Sequence, residues 1–309
     1  MTELTVLSRE DVVRVLPPIP AQLDLVEETY LAMARGDVEL PPKPGIHPRE
    51  NAFIHAMPAY LRGADVAALK WVSGYPSNKE RGLPYISGLI VVNDSGTGLP
   101  VAIMDAAEIT AARTAAASGV CIRRFAPSGW QTAALLGCGE QGRYHALVLA
   151  ALNPRVAIRA YDPDPTSVER LPVEAEAVAD PRDAVHGADI VVTAGPIVEA
   201  PAPPIMSDWL AEAHLLLPID FDFYVHADAI AATELFVVDD VDQFEYYCGQ
   251  GHFADWRPPD GSTGEALAST SAPARVACVN LGVGALDAAF AGRVLAEAAR
   301  AGAGVTVSL

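Results

Sequence analysis

The stretch Leu135-Leu-Gly-Cys-Gly-Glu-Gln-Gly142 decides the fold of this chain. The apolar run at residues 131–136 predicts a buried strand, and residues 144–152 have the pattern of a helix. Glycines spaced as GxGxxG between a strand and a helix are the fingerprint of a dinucleotide-binding βαβ unit. The stretch therefore predicts a Rossmann-type parallel sheet in this part of the chain.

The residues of the fingerprint have separate roles. Gly137 is expected to make the tight turn, Gly139 to let the backbone approach a pyrophosphate, and Gly142 to let the helix pack closely on the strand. Gln141 belongs to the same predicted cofactor site, at the helix N-terminus whose N–H groups face the phosphates. Asp162 follows the second strand, where a carboxylate accepts hydrogen bonds from ribose hydroxyls and repels a 2′-phosphate. The sequence therefore predicts NAD rather than NADP.

Beyond the fingerprint, apolar strands alternate with helical or turn-rich segments, as in a parallel sheet built from βαβ units. Four more strands are predicted, at residues 156–161, 189–193, 214–219 and 235–238. Thr193, at the end of one of them, is assigned to the cofactor site, because ligands of such sheets bind at the carboxyl ends of strands. Residues 243–264 are rich in aromatic residues, Gly and Pro without periodicity, which predicts an ordered loop able to cover a cleft.

The first part of the chain follows another pattern. A helical beginning, with Ser8 and Asp11 at its start, precedes strands separated by turn signals, which predict an antiparallel or mixed sheet. These strands are expected at residues 53–60, 66–72, 88–92 and 101–104. A long Ala-rich helix is predicted at 107–125, and an amphipathic helix at 285–301 ends the pattern.

Composition excludes several classes of protein. With 51% hydrophobic and 19% charged residues, the chain is globular rather than disordered. Its formal charge of -18 repels nucleic acid and anionic lipid. The sequence has no basic leader and no run of eighteen apolar residues, so membrane spanning is not expected and a cytoplasmic location is. Neither the four cysteines nor the seven histidines have metal-ligand spacing, so no metal is expected.

Motifs in both parts of the chain resemble the ornithine cyclodeaminase and mu-crystallin family. They keep the family's order and comprise Ala56-Met-Pro-Ala-Tyr60, Lys70-Trp-Val-Ser-Gly-Tyr-Pro76, Gly82-Leu-Pro84, Ile109-Thr-Ala-Ala-Arg113-Thr114, the glycine fingerprint and Gly282-Val-Gly284-Ala-Leu-Asp287. The resemblance implies an α/β fold in which a Rossmann NAD-binding domain, residues 119–282, is inserted into an α+β domain. That α+β domain, residues 1–118 plus 283–309, is expected to bind substrate and to form a homodimer.

Family members act on amino acids by hydride transfer between the α-carbon and nicotinamide. By resemblance, Arg113 is expected to hold the substrate carboxylate bidentately. Lys43 stands where many relatives have an arginine, and it can still pair with the carboxylate as a point charge. Met57 and Tyr85 complete the expected substrate site, and Thr114 is assigned to the cofactor.

Two residues are expected to move protons. Lys70 lies in an apolar strand, where burial lowers a lysine pKa and makes the amine useful at an imine nitrogen. Asp220 follows a strand of the Rossmann part and resembles the family's acid/base aspartate. Asp222, two residues on, is an alternative to Asp220 that the sequence leaves open.

The sequence predicts an NAD-dependent imine reductase or amino-acid dehydrogenase. A redox-neutral cyclodeaminase, which converts ornithine or lysine to a cyclic imino acid and ammonia, is the first alternative. A ligand-binding protein without catalysis, like some mu-crystallin relatives, is the second. Lys43, Tyr85 and the segment Ile219-Asp-Phe-Asp-Phe-Tyr224 depart from the cyclodeaminase pattern and argue against ornithine as the substrate.

Overall fold

The computed structural model describes residues 3–196 and 204–308, apart from the side chain of Lys79. It forms two compact units, Met1–Arg113 with Gly282–Leu309, and Thr114–Leu281. The elements up to the long helix are β1 (Glu3–Leu7), α1 (Arg9–Val15), α2 (Ile19–Ala34), β2 (Val38–Glu39), β3 (Gly45–Ile46), β4 (Phe53–Leu61), β5 (Val66–Gly74), a 3-10 helix (Pro76–Arg81), β6 (Ile86–Asn93), β7 (Pro100–Asp105) and α3 (Ala107–Phe125).

The remaining elements form the second unit and then return to the first. They are β8 (Thr132–Leu136), α4 (Glu140–Leu152), β9 (Ala157–Tyr161), α5 (Pro165–Glu169), β10 (Glu176–Ala177), α6 (Pro181–Val185), β11 (Ile190–Thr193), a 3-10 turn (Ser207–Trp209), β12 (His214–Pro218), α7 (Ala227–Ala231), β13 (Leu235–Val238), α8 (Val241–Gly249), β14 (Gly261–Ser262), α9 (Thr263–Ala268), β15 (Arg275–Val279), α10 (Gly284–Ala301) and β16 (Val305–Ser308). No helix in the described ranges is both long and apolar enough to cross a membrane.

The first unit is built on one mixed sheet. Its strands lie in the order β16-β1-β7-β6-β5-β4-β2, and β3 also pairs with β4. Strands β4 to β7 form an antiparallel meander, whereas β1 pairs parallel with β7. Residues alternate between the two faces of the sheet, so that Lys70 of β5 lies on the buried face with its cross-strand neighbour Met57.

Helix α10 packs on this buried face and supplies most of its cover. Its contact surface consists largely of Gly and Ala, which let the helix backbone approach the strands. A Cβ atom added to Gly284 would lie 2.9 Å from the carbonyl oxygen of Met57, and one added to Gly292 would lie 2.8 Å from a methyl carbon of Val66. The close approach brings Asp287, in the first turn of α10, beside β5.

The second unit has the predicted Rossmann-type architecture. All eight strands are parallel, in the order β10-β9-β8-β11-β12-β15-β13-β14. The strand order reverses between β8 and β11, so the carboxyl ends of these two strands mark the position where ligands bind in such sheets. Apolar clusters cover both faces of the sheet, with Leu135 in one and Leu136 in the other.

Four elements that differ from the sequence predictions are α8, β15, β1 and β16. The predicted loop at 243–264 is helical at its start, since α8 extends to Gly249 after the Asp240 side chain accepts the N–H of Gln243 as a cap. Strand β15, between β12 and β13, was not predicted, although four of its five residues are buried. The edge pair β1 and β16 was also missed, because tertiary pairing rather than local pattern makes these short segments strands.

Candidate active site

Lys70 and Asp287 form a buried ion pair within the first unit. The Lys70 ammonium lies 2.7 Å from Asp287 Oδ2, and both side chains are 1% exposed. Lys70 Nζ also donates to the hydroxyl of Thr110 on α3, at 3.4 Å. Asp287 Oδ2 is close enough to Lys70 for an ion pair but does not have hydrogen-bond geometry with a described residue, so the pair restrains the position of the ammonium through charge.

Arg113 shares the same carboxylate. Its Nε lies 3.2 Å from Asp287 Oδ1, so Asp287 bridges the two cations through its two oxygens. The other two guanidinium nitrogens face Gly282, where an added Cβ would lie 3.0 Å from each of them. Gly282 has a φ of +84°, a left-handed conformation that favours glycine. The absence of a side chain at Gly282 therefore leaves space for the Arg113 guanidinium.

The structure adds two of the other predicted substrate residues to this cluster. Lys43 Nζ donates to the Gly282 carbonyl oxygen at 3.3 Å, and Met57 lies opposite Lys70 on the neighbouring strand. Tyr85 lies in the turn before β6, where its carbonyl accepts the N–H of Tyr75. No described contact joins the Tyr85 side chain to Lys70, Arg113 or Asp287 within residues 3–196 and 204–308.

Burial controls the charge of this cluster. It lowers the pKa of Lys70 to about 8, against an upward effect of Asp287 and a further downward effect of Arg113. Burial, with the charges of Lys43 and Lys70, lowers the pKa of His55 to about 4, so this histidine is neutral at pH 7. Lys70 therefore changes its charge close to physiological pH, as a proton-transferring group requires.

The glycine fingerprint forms the predicted turn between β8 and α4. Gly137 has a φ of +92°, and a Cβ there would lie 2.4 Å from the Ala194 carbonyl oxygen. A Cβ on Gly142 would lie 2.1 Å from the Gly137 carbonyl oxygen, whereas a Cβ on Gly139 would meet no atom of the described residues within 4 Å. Gly137 and Gly142 are thus required by the turn, while the described residues leave open space at Gly139, beside the helix N-terminus.

Asp162 and Gln141 lie beside this turn. Asp162 Oδ2 accepts the N–H of Cys138 at 2.8 Å, so the carboxylate supports the turn itself. The side-chain oxygen of Gln141 is buried and has no hydrogen-bond partner among the residues that the structure describes. An unsatisfied buried acceptor is costly in a folded protein, which fits a residue that meets a donor on a bound ligand. Thr114, on α3, is buried.

Asp220 and Asp222 have different environments in the second unit. Asp220 is 3% exposed, accepts Thr193 Oγ1 at 2.6 Å and the N–H of Gly195 at 2.8 Å, and burial raises its pKa to about 7. Asp222 accepts the N–H of Phe253 at 2.6 Å and contacts His252, and these bonds lower its pKa against the effect of burial. Asp222 thus ties two loops together, whereas Asp220 is a carboxyl that titrates near neutral pH.

Phe221, between the two aspartates, has a φ of +62°. This left-handed conformation is costly for an aromatic residue and occurs most often at functional sites. The ring is held by neighbouring aromatic rings, with centroids 4.9 Å away at Tyr247 and 5.4 Å away at Phe253. Helix α8 and the turn after it therefore fix the backbone on which Asp220 lies.

Sequence reasoning missed Asp287 and Gly282 as site residues, although it quoted the motif that contains them. One available signal was an acidic residue amid Gly, Ala and Leu at the start of an otherwise apolar helix face. Another signal was the rarity of lysine. Only three of the 21 basic residues are lysines, and two of them lie in this cluster. No group of His, Cys, Asp and Glu suited to a metal occurs among the described residues.

Comparisons with known proteins identify the family of this chain. The sequence profile of the ornithine cyclodeaminase/mu-crystallin family matches residues 3–248. Nodulation efficiency protein NfeD of Rhizobium meliloti is 38% identical over 315 residues, covering 98% of each chain. Alanine dehydrogenase of Archaeoglobus fulgidus is 29% identical over 252 residues, covering 79% of this chain and 76% of that one.

Solved structures share the fold. The Thermococcus litoralis Δ1-pyrroline-2-carboxylate reductase, in complex with NADH and L-proline, superposes with a TM-score of 0.86 at 24% identity, covering 98% of this chain and all of that one. An archaeal alanine dehydrogenase dimer with bound NAD gives a TM-score of 0.87 at 23% identity, with 100% of both chains covered. Sequence match and fold agree over almost the whole length, and this chain belongs to the ornithine cyclodeaminase/mu-crystallin family.

Proposed function

We propose that the protein is an NAD-dependent enzyme that transfers a hydride at the α-carbon of a small amino or imino acid, as an imine reductase or amino-acid dehydrogenase. The observation that carries the proposal is the buried cluster of Lys70, Arg113 and Asp287, in which two cations share one carboxylate. Such a cluster retains a positive charge that a substrate carboxylate can neutralise. It also contains an amine whose pKa of about 8 suits proton exchange with a substrate nitrogen.

The roles of the cationic residues follow from their geometry. Arg113, with the two nitrogens that face Gly282, grips the substrate carboxylate, and Lys43 adds a second point charge at the Gly282 carbonyl. Lys70 exchanges a proton with the substrate nitrogen. Met57, buried beside Lys70, adds an apolar side chain to the same proposed substrate site.

The second unit supplies the proposed cofactor site. NAD, when bound, accepts the hydride from the substrate or returns it. The open space at Gly139 receives the pyrophosphate, Gln141 offers its unsatisfied oxygen, and Asp162 accepts from the ribose hydroxyls. Asp220, with its pKa of about 7, holds or releases a proton, and its bond from Thr193 keeps the carboxyl in place.

The test is a substrate panel with the purified protein. Amino acids with NAD, and 2-keto acids with NADH and ammonia or methylamine, are followed at the NADH absorbance band. A substrate-dependent change at that band supports net hydride transfer. Cyclic product and ammonia from ornithine or lysine under catalytic NAD, without accumulated NADH, replace the proposal by the cyclodeaminase. No reaction together with saturable ligand binding replaces it by a binding protein.

We also propose that the first unit forms a homodimer through the outer face of its sheet. This face is apolar, and Trp71 and Leu89, which pair across β5 and β6, are 47% and 49% exposed. Leu69 pairs with Val91 on the same face, and Val91 pairs with Ile103 of β7. A continuous apolar sheet face of this extent is typical of a protein interface, and a second copy of the same face is its natural complement.

A further inference from the structure

We propose that Asp287 is the positioning residue of the active site, and that its carboxylate keeps Lys70 charged and fixes it beside Arg113. The proposal rests on the function proposed above, and it adds a residue that acts through Lys70 and Arg113 rather than on substrate. It also explains why an aspartate lies in a helix face otherwise made of small and apolar residues.

In this cluster a single carboxylate pairs with two cations. The Lys70 Nζ to Asp287 Oδ2 distance is 2.7 Å, and the Arg113 Nε to Asp287 Oδ1 distance is 3.2 Å. The three side chains come from β5, α10 and α3, so no single element holds the cluster together. Without the carboxylate, two like charges would face each other in a place from which water is excluded.

The charged and titratable groups around Lys70 come from each element packed against it. Asp287 on α10 favours the ammonium, Arg113 on α3 opposes it, and His55 on β4 is neutral at pH 7. Thr110 on α3 is polar but does not titrate. Asp287 is therefore the group that offsets burial, and its removal should leave Lys70 mostly uncharged at pH 7.

Glu108 is a second buried carboxylate of the first unit, and it has a different partner. Glu108 is also buried in the first unit, at 6% exposure, but it pairs with Arg9, and Arg9 Nε donates to Glu108 Oε1 at 2.7 Å. The variant Glu108→Gln therefore removes a buried acid from α3 without touching the Lys70 pair. It is the control for a general loss of charge.

The test measures the titration of Lys70 directly in the ligand-free protein. The chain contains only three lysines, Lys43, Lys70 and Lys79, so protein labelled with ¹³Cε-lysine gives three side-chain NMR signals. The variants Lys43→Arg and Lys79→Arg identify the Lys70 signal by elimination. Its midpoint is expected at about 8 in the unmodified chain.

The Asp287 and Arg113 variants are expected to shift the Lys70 midpoint in opposite directions. Asp287→Asn should lower the Lys70 midpoint by at least about one pH unit, while Asp287→Glu, which keeps the charge, should restore it toward the unmodified value. Arg113→Gln should raise the midpoint, and Glu108→Gln should leave it unchanged. If Asp287→Asn does not fold, the double variant Asp287→Asn with Arg113→Gln, which leaves no unpaired guanidinium, should titrate below Arg113→Gln alone.

An unshifted midpoint in Asp287→Asn, or a double variant that titrates like Arg113→Gln alone, overturns the proposal. A glutamate variant that titrates like the asparagine variant also overturns it, because the charge of residue 287 would then be irrelevant. The measurement uses neither NAD nor substrate. Its failure is therefore distinguishable from failure of the proposed function, which is read from NADH absorbance.

Discussion

At the scale of single residues, two aspartates separated by one residue have opposite roles. The Asp220 carboxyl is buried against Thr193 and Gly195, whereas the Asp222 carboxylate receives the backbone N–H of Phe253. The sequence offered both as the acid/base, since both follow the same predicted strand. The contacts favour Asp220, because its raised pKa allows it to hold a proton near pH 7.

The matched variants Asp220→Asn and Asp222→Asn should change stability in opposite directions. A raised folded-state pKa means that the stability contributed by Asp220 is present below its ordinary pKa of 3.8 and is lost as pH rises through about 7. The stability of Asp220→Asn relative to the unmodified chain should therefore increase from pH 5 to pH 8, by about 1–3 kcal/mol. Asp222, with its lowered pKa, stabilises the fold above 3.8, so Asp222→Asn should be less stable at both pH values.

Thermal unfolding at pH 5 and pH 8 measures these differences, and steady-state kinetics measures the consequence for activity. Asp220→Asn should lower kcat about 10²–10⁴-fold, the usual worth of a general acid/base. Asp222→Asn, once folded, should keep most of its activity. The reverse pattern of activity would show that Asp222 is the working carboxylate.

At the scale of elements, Gly139 and Gly142 in the turn between β8 and α4 have different structural constraints. Gly142 is required by the packing of α4 on β8, since a Cβ there would meet the Gly137 carbonyl oxygen at 2.1 Å. Gly139 has no such constraint from any residue in the described ranges. Because the two positions differ in this way, stability and cofactor binding can be tested independently at this turn.

Gly139→Ala should leave the unfolding temperature unchanged and raise the Kd for NAD at least about tenfold, since a methyl group would occupy the space proposed for the pyrophosphate. Gly142→Ala should lower stability by about 1–3 kcal/mol and weaken binding as well. Differential scanning fluorimetry and NADH fluorescence titration give the two readings. Unchanged NAD binding in Gly139→Ala would contradict the proposed cofactor position.

Helix α10 determines where Asp287 lies, so its packing should affect both stability and activity. Gly284→Ala places a Cβ 2.9 Å from the Met57 carbonyl oxygen, and the backbone must shift because neither atom belongs to a flexible side chain. We expect a loss of about 1–3 kcal/mol in the free energy of unfolding, with a fall in kcat/KM. Gly249→Ala at the end of α8, where nothing lies within 4 Å, is the control. Equal stability of the two variants in urea denaturation would contradict this account.

At the scale of the whole molecule, the sheet of the first unit has two apolar faces, one covered by a helix and one exposed. The inner face of the first unit is covered by α10, whereas the outer face exposes Trp71 and Leu89. An antiparallel sheet of a monomer usually has polar residues on its solvent side. The exposed apolar outer face is the observation on which the proposed homodimer rests.

The double variant Trp71→Asp with Leu89→Asp should be monomeric, since four charges would face each other at the proposed homodimer interface. The unmodified chain should sediment as a dimer at micromolar concentration. Leu147→Asp, at an exposed apolar residue of α4, should leave the dimer intact. Analytical ultracentrifugation distinguishes these outcomes, and a monomeric unmodified chain would contradict the proposal.

The sequence predicted regular elements best where a local pattern decides them. The helix predicted at 107–125 is α3, Ala107–Phe125, because Ala-rich sequence favours a helix in any surroundings. Strand β15 was missed because its five residues gain their partners from β12 and β13, which are distant in sequence. Lys70 and Arg113 were found from family motifs, while Asp287 in the same set of motifs was given no role.

The sequence by itself determined the parallel sheet and the glycine turn, since these depend on local conformation, and its family motifs directed attention to Lys70 and Arg113. Only the tertiary structure decided that Asp287 joins Lys70 to Arg113, and that Asp220 rather than Asp222 is a buried carboxyl with a raised pKa. The reason is physical. Charge state depends on burial and on partners brought from distant segments, and packing rather than sequence order determines both.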